Sequence, residues 1–365
     1  MKNFRMAVKK VLIKKNEIIL FFLFVLFLIG SIAFSPTPIL GIYFLLKIIE
    51  FTLLGFILYV NKNQITKFIL ITFPFAIIFE SVLAILEFIN RGSLNGVFYF
   101  FGERSFNSQT PDIANAIING ALVLRPYATF SHPNTLGGFL LISITIVLMN
   151  IKNQKKFLKY FYYLSLIIGT VALLLTLSRT AISVYIIFLV IYIFRSFKIS
   201  KSKNLLPSLL LSIIGASFLV TSLNLRFVSL FSDTAFMDRK LLIDATIKMI
   251  GKNPLFGVGL NNFLPALPNF YSSRQNVFYI QPVHNIPLLI IAEIGIPASL
   301  ILFYFLIKLF YKTNFFGKML LFEALLVSMF DHYFLTVQQG QILLTLVVTL
   351  SIIYASFNDK IKGNA

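Results

Sequence analysis

IILFFLFVLFLIGSIAF, residues 18–34, contains no charged side chain, and its reading decides the fold class of the chain around it. A helix rises about 1.5 Å per residue and needs ~20 apolar residues to cross the ~30 Å hydrocarbon layer. Comparable apolar runs recur at 39–60, 65–89, 135–150, 157–175, 180–194, 205–223, 285–307, 314–335 and 340–356. Of the 365 residues 58% are hydrophobic and 12% charged, against roughly 25% charged in soluble domains, so a water-soluble globule is excluded. The expectation is an all-α, polytopic integral membrane helical bundle, one membrane domain over 1–365. It should have about ten transmembrane helices and a large, partly helical extracytoplasmic loop.

The placement of the charges, net +19, assigns the two sides. Lys2, Arg5, Lys9, Lys10, Lys14 and Lys15 precede the first run, Lys62 and Lys67 separate the second from the third, and Lys152, Lys155, Lys156 and Lys159 the fourth from the fifth. Arg195, Lys198, Lys201 and Lys203 follow the sixth run, Lys308, Lys312 and Lys318 the eighth, and Lys360 and Lys362 the last. With the amino terminus inside, all of these loops share one side, which the positive-inside rule makes the cytoplasm. Both termini are then cytoplasmic. A charge excess that would indicate nucleic acid in a soluble protein is a membrane-topology signal here, and no nucleic-acid partner is expected. The basic amino-terminal stretch lacks a small-residue cleavage site, and Ser35-Pro36-Thr37-Pro38 reads as a turn, so the first run is an uncleaved span. There is no cysteine and there are three histidines; neither disulfides nor thiolate metal sites are available, and no metal or other cofactor is expected.

Two segments between the runs are polar enough to carry chemistry. The first external loop, 90–134, closes in LRPYATFSHPNTLGGFLL, where Asn134-Thr135 can cap the following helix and Gly137-Gly138 permit close helix packing. The second, 224–284, contains a helical pattern from Asp238 to Ile250. Leu242, Ala245 and Met249 share one face, with Arg239, Lys240, Asp244 and Lys248 around the other. That pattern suits an amphipathic helix on the outer leaflet, stopped by Gly251 and turned by Asn253-Pro254. Gly257-Val258-Gly259 lacks the flanking strand and helix of a nucleotide fingerprint and reads as a tight turn. Ionisable groups within a bilayer cost about 2.5–3.5 kcal/mol each on insertion scales, so Glu80 and Glu87 should face partners in the bundle and Lys47 and Glu50 should form a structural pair.

Arg91, Arg104, Arg125, Arg179, Arg226, Arg239 and Arg274 fall outside or at the outer boundary, and only Arg5 and Arg195 inside. Anchoring does not require that split. Binding a diphosphate does, because the guanidinium fork matches phosphate oxygens bidentately. His132, His284 and His332 also fall at outer helix ends, His332 beside Asp331, and an imidazole with an ordinary pKa of about 6.5 can take a proton from a hydroxyl.

At these residues the chain resembles the O-antigen ligase and polymerase family. The resemblance rests on RPYATFSHPNTLGGFL at 125–140, LTLSRTA at 175–181, the Arg239 helix with NPLFGVGLNNF at 253–263, and VHNIPLLIIAEIGI at 283–296, in family order. It makes 135–300 an O-antigen ligase-like core that includes the external loop 224–284. It implies a glycosyltransferase of the bacterial cytoplasmic (inner) membrane with its active site extracytoplasmic. The implied partners are an undecaprenyl-diphosphate-linked oligosaccharide donor, a glycan or lipid acceptor, and membrane lipids. By motif, donor-diphosphate binding falls on Arg179 and Arg239 and hydroxyl activation on His284, while Leu241–Ile243 stand where the family has an aromatic. Arg125 joins the diphosphate candidates, with His132, Asn134, Asn285, Glu293, Asp331 and His332 as supporting residues.

The residues and the resemblance agree on one reaction: a saccharide leaves undecaprenyl diphosphate for an acceptor hydroxyl, in polymerisation or ligation of an O-antigen-like or capsule-like surface polysaccharide. No external Asp-x-Asp pair is present to hold a divalent ion, so an arginine clamp is expected in place of a metal. The alternative is a lipid-linked glycan flippase or other polytopic transporter. That class places ionisable groups near the midplane and often shows inverted repeats. No such repeat is evident, and Glu293, roughly two helical turns inside the eighth run, is shallow enough to serve an external site.

Overall fold

The computed structural model describes residues 15–118, 121–151, 155–199, 234–271 and 281–362. Its helices are α1 (Lys15–Ala33), α2 (Pro38–Val60), α3 (Lys62–Asn90), α4 (Val97–Phe100), α5 (Pro133–Asn150), α6 (Lys156–Leu175), α7 (Arg179–Ile199), α8 (Thr234–Lys252), α9 (Phe263–Ala266), α10 (Ile286–Lys312), α11 (Phe315–Ser328), α12 (Tyr333–Thr336) and α13 (Gln338–Lys362). Seven of them, α1, α2, α3, α5, α6, α10 and α13, are long and apolar enough to cross a membrane. The chain is a polytopic, all-α membrane protein. Among the described residues its strands are one antiparallel pair in the first loop, β1 (Asn115–Ile118) with β2 (Ala121–Leu124).

The remaining expected runs fare differently. The run at 180–194 is α7, which opens on Arg179 and carries Arg195. The run at 205–223, together with Arg226 and Arg274, lies outside the described residues. The run at 314–335 is not one helix: α11 ends at Ser328 after 14 residues, short of the ~20 a span needs. The amides of Met329, Phe330 and Asp331 bond back onto carbonyls of Leu325–Val327 and close the helix. The Asp331 carboxylate then accepts the His332 amide at 2.8 Å, which removes that donor from any helical ladder.

The chain divides into two compact units, one comprising residues up to Glu50 with Met237–Tyr311, the other Phe51–Phe236 with Lys312 onward. In the second unit α5 is the central helix, with 14 of its 18 residues buried. Its sequence is apolar all round, and a helix of that kind has no face to give to a polar surface. Because lipid is as apolar as the helices, association depends on close approach and on polar contacts between helices. A Cβ on Gly137 would meet the Cβ atoms of Ser178 and Ala181 at 3.1 and 3.2 Å, and one on Gly138 would strike the Tyr333 hydroxyl. Thr145 Oγ1 donates to Glu323 Oε1 at 2.7 Å. By contrast α3 leaves Phe68, Phe75 and Ile89 mostly exposed, a surface suited to lipid.

In the first unit, Lys47 Nζ donates to Glu50 Oε2 at 2.8 Å, the structural pair expected from the sequence. Glu17, at the start of α1, pairs with Lys308, near the end of α10, as an alternation of spans with those two ends on one side requires. Leu242, Ala245 and Met249 are buried in α8, together with Thr246, and Arg239 and Lys240 are exposed. The expected stop at Gly251 is overrun by one residue, since α8 continues to Lys252.

Candidate active site

Within the first unit, the uninterrupted span expected at 285–307 is broken. Gly295, nine residues after Ile286 and roughly 14 Å along the helix, adopts φ 78°, ψ 169°, a region essentially reserved for glycine. Pro297, two residues on, brings no amide donor. The carbonyls exposed by the break are taken by the NPLFGVGLNNF segment. Val258 N donates to Ala292 O at 2.7 Å and Gly259 N to Glu293 O at 3.0 Å, while Ile296 N donates to Pro254 O at 2.8 Å. Irregular backbone at membrane depth is tolerated where protein satisfies its polar groups, and these three bonds do so.

The turn read at Gly257-Val258-Gly259 is therefore a clasp on α10. A Cβ on Gly257 (φ 69°) would lie 2.5 Å from Ala292 O, and one on Gly259 (φ 106°) would run into Ser35. The clasp is also tied to the α1–α2 turn. Asn262 accepts from Thr37 N at 3.1 Å and donates to Thr37 O at 3.2 Å, and Leu260 N donates to Ser31 Oγ at 3.2 Å. The Glu293 carboxylate accepts from the backbone of Asn261 and Phe263, so it holds the clasp from the helix side. At the start of α10, Asn285 Oδ1 accepts from Leu288 N at 2.9 Å, the geometry of an N-cap. Capping thus belongs to Asn285, and His284 stands one residue outside it. Arg239 lies on the exposed face of α8.

Within the second unit, five of the candidate residues form one hydrogen-bonded chain. Arg125 Nε donates to Thr176 O at 2.8 Å and its Nη2 to Asn134 Oδ1 at 2.6 Å. Asn134 Nδ2 donates to Asp331 Oδ2 at 2.7 Å, and His332, whose amide is held by Asp331, shares a 2.7 Å bond between Nδ1 and Thr336 Oγ1. His132 Nδ1 accepts from Asn134 N at 3.1 Å. The cap assigned to Asn134-Thr135 is corrected by that bond: α5 starts earlier, at Pro133, with His132 as its N-cap. Proline suits the first helical position because an amide there would find no helical partner, and it leaves the Asn134 side chain to bridge Arg125 and Asp331.

Thr176 ends α6, and Leu177 then takes a left-handed φ of 49°, rare for a bulky side chain. Ser178 N donates to Thr176 Oγ1 at 3.2 Å, and α7 opens on Arg179, which is exposed. The amino end of a helix carries partial positive charge, so an anion beside Arg179 would meet both the guanidinium and the helix terminus.

Glu80, Glu87 and Gln339 position this chain and were not singled out for it by the sequence. Tyr127 N and Ala128 N both donate to Glu87 Oε2 at 2.8 Å. Thr129 Oγ1 donates to Glu80 Oε1 at 2.7 Å, and Gln339 Nε2 donates to Thr129 O at 2.9 Å. The two carboxylates thereby fix the backbone between Arg125 and His132, including the left-handed Ala128 (φ 49°). The available signal was two acids seven residues apart on one span, hence on one helical face.

Residues 164–303 match the O-antigen ligase family. That range begins in α6, contains Arg179, Arg239 and His284, and ends in α10 beyond the Gly295 break. No curated protein and no solved structure matches the chain. Its multi-pass helical architecture and this match, over residues 164–303, together support a role in membrane glycan ligation or polymerisation.

Proposed function

We propose that the protein is a glycosyltransferase of a bacterial cytoplasmic membrane that moves a saccharide from undecaprenyl diphosphate to an acceptor hydroxyl on the extracytoplasmic side. Both chain termini are cytoplasmic in this reading, and the acceptor is a glycan or lipid of the cell surface. The observation that carries it is the family match over the range holding Arg179, Arg239 and His284. Arg179 and Arg239, with Arg125 as a further candidate, hold the donor diphosphate, each guanidinium facing phosphate oxygens with paired N–H donors. His284 accepts the proton of the acceptor hydroxyl. The hydroxyl oxygen bonds to the anomeric carbon as the bond from that carbon to the diphosphate oxygen breaks, and its electron pair stays with the diphosphate. The arginines stabilise that developing charge. Direct displacement inverts the anomeric centre, and no metal takes part.

His132 caps α5 and Asn285 caps α10, while Asn134, Asp331 and His332 orient Arg125. These are supporting roles. The test is the full-length protein, purified in lipid, given a synthetic undecaprenyl-diphosphate repeat unit with and without a second acceptor. Lengthened or transferred glycan with inverted linkage is expected, and it should persist in a strong chelator. Recovery of the donor intact would refute the reading.

One observation favours the rival transporter class: a broken membrane helix is where such proteins bind ions and solutes. Here, however, the carbonyls of Ala292 and Glu293 are occupied by amides of the clasp. A transporter would move the labelled lipid across a vesicle without consuming it, which the same preparation measures.

A further inference from the structure

The loop GVFYFFG at 96–102 takes no part in the chemistry above. Its middle is α4, and all of its side chains but Phe98 are mostly exposed: Val97 is 68% exposed, Tyr99 62%, Phe100 86% and Phe101 61%. In water such a cluster would be an uncovered apolar patch. Its position along α3 shows what covers it. The rings of Phe101 and Phe79 are 6.0 Å apart, and Phe98 lines one apolar groove with Phe75, Ile78, Phe79, Val82 and Leu83. Phe79 lies 11 residues before Asn90, the last residue of α3, roughly 16 Å back along the helix. The loop therefore leaves the end of α3 and folds back beside it. That side of α3 is the one that exposes Phe75, Val82 and Ile89, the surface read above as facing lipid.

The loop's backbone is also made for an apolar surrounding. Leu94 N and Asn95 N donate to the two oxygens of the Glu103 carboxylate at 2.6 and 2.7 Å. Phe98 N donates to Asn95 O, Phe101 N to Phe98 O, Gly102 N to Tyr99 O and Glu103 N to Phe98 O. Gly96 (φ 61°) and Gly102 (φ 102°) form the corners. Backbone that meets hydrocarbon must satisfy its polar groups internally, and three amides within the loop (Phe98, Phe101 and Gly102) and three at its base (Leu94, Asn95 and Glu103) do so. Aromatic side chains are the residues that settle at a membrane interface.

We propose that residues 96–102 form a re-entrant aromatic anchor inserted into the leaflet at the carboxyl end of α3, with Tyr99, Phe100 and Phe101 in contact with lipid. From its base, Arg104 Nη2 donates to Ser131 O at 2.7 Å and lies over the Tyr127 ring at 5.1 Å. The anchor thus sets the depth of the 125–134 segment relative to the membrane surface.

The chain has no tryptophan, so Phe100→Trp gives a protein with a single indole reporter, and Tyr99→Trp gives an independent second one. Gln109→Trp, at an exposed position of the same loop, serves as the aqueous control. Each full-length variant is placed in phosphatidylcholine vesicles with brominated or ordinary acyl chains, and fluorescence is read with and without iodide. For Phe100→Trp and Tyr99→Trp the expected result is a blue-shifted emission that brominated chains quench more than iodide does, while Gln109→Trp behaves in the opposite way. Quenching by iodide with no effect of bromine would overturn the proposal by placing the loop in water. Protection from both quenchers would overturn it equally, by showing that protein covers the patch. The readout does not depend on glycan transfer.

Discussion

Replacing Gly295 with alanine attacks the join between the broken span and its clasp. At φ 78°, ψ 169° any residue with a Cβ costs about 1–3 kcal/mol of backbone strain. The new Cβ would also lie 2.5 Å from the Leu255 carbonyl carbon and 2.8 Å from Phe256 N, backbone atoms that no rotamer change can move. The relief available is for α10 to straighten: Ile296 N turns to the Ala292 carbonyl, Pro297 has no amide to give the Glu293 carbonyl, and Val258 and Gly259 are expelled. That forfeits the two bonds these amides make, and with them the Ile296–Pro254 bond, each about 0.5–1.5 kcal/mol net. By either route the native arrangement loses several kcal/mol. Thermal unfolding in lipid nanodiscs, with hydrogen exchange followed on peptides covering 254–263 and 292–296, should show a lower midpoint and lost protection confined to those peptides. Gly251→Ala is the control. Nothing lies within 4 Å of a Cβ there, and alanine is favoured over glycine in a helix by about 1 kcal/mol. A Gly295→Ala protein with the parental midpoint and parental protection over 254–263 would refute the clasp.

Arg179→Lys keeps the charge but loses the fork, so transfer and donor binding should both fall sharply in an assay with the lipid-linked repeat unit; a rate near that of the parent would remove the bidentate contact. His284→Ala should slow transfer by about 10²–10⁴-fold, the usual scale of general-base catalysis, with donor binding retained, and an active His284→Gln would exclude His284 as base. Asn134→Leu removes bonds to both Arg125 and Asp331, each a bond to a charged group worth about 1.5–3 kcal/mol; stability within ~0.5 kcal/mol of the parent, the range of a surface substitution, would contradict the bridge. Cysteines introduced into this cysteine-free chain test the orientation: an impermeant reagent on intact cells should label Gln109→Cys and spare Lys155→Cys, and the reverse pattern would invert the topology.

The helices were legible because they need nothing but length and hydropathy. Runs such as 18–34 and 135–150 are too apolar for water, and in lipid a helix satisfies every backbone group by itself. The amphipathic face of α8 was legible for the same local reason. Less local features were not. Phe315–Ser328 reads as part of one longer apolar run, and only the Asp331–Asn134 and Asp331–His332 bonds show why the chain turns there. The β1–β2 pair was missed although Asn119-Gly120 stands between two apolar stretches, the strongest short-range hairpin signal.

The sequence by itself determined a multi-pass helical membrane protein, and three of the four quoted blocks, at 175–181, 239–263 and 283–296, fall in the range that matches the O-antigen ligase family. Those properties are sums over residues or fixed spacings along the chain. Tertiary structure alone decided that NPLFGVGLNNF and AEIGI are two halves of one clasp, that Glu80 and Glu87 hold the Tyr127–Thr129 backbone, and that Arg125, Asn134 and Asp331 form one chain. Apart from the Arg125–Asn134 bond, nine positions apart, each of those contacts joins residues 30 or more positions apart. A carboxylate or amide takes whichever donor the packed helices bring within 3 Å or so, and no local pattern records which one that will be.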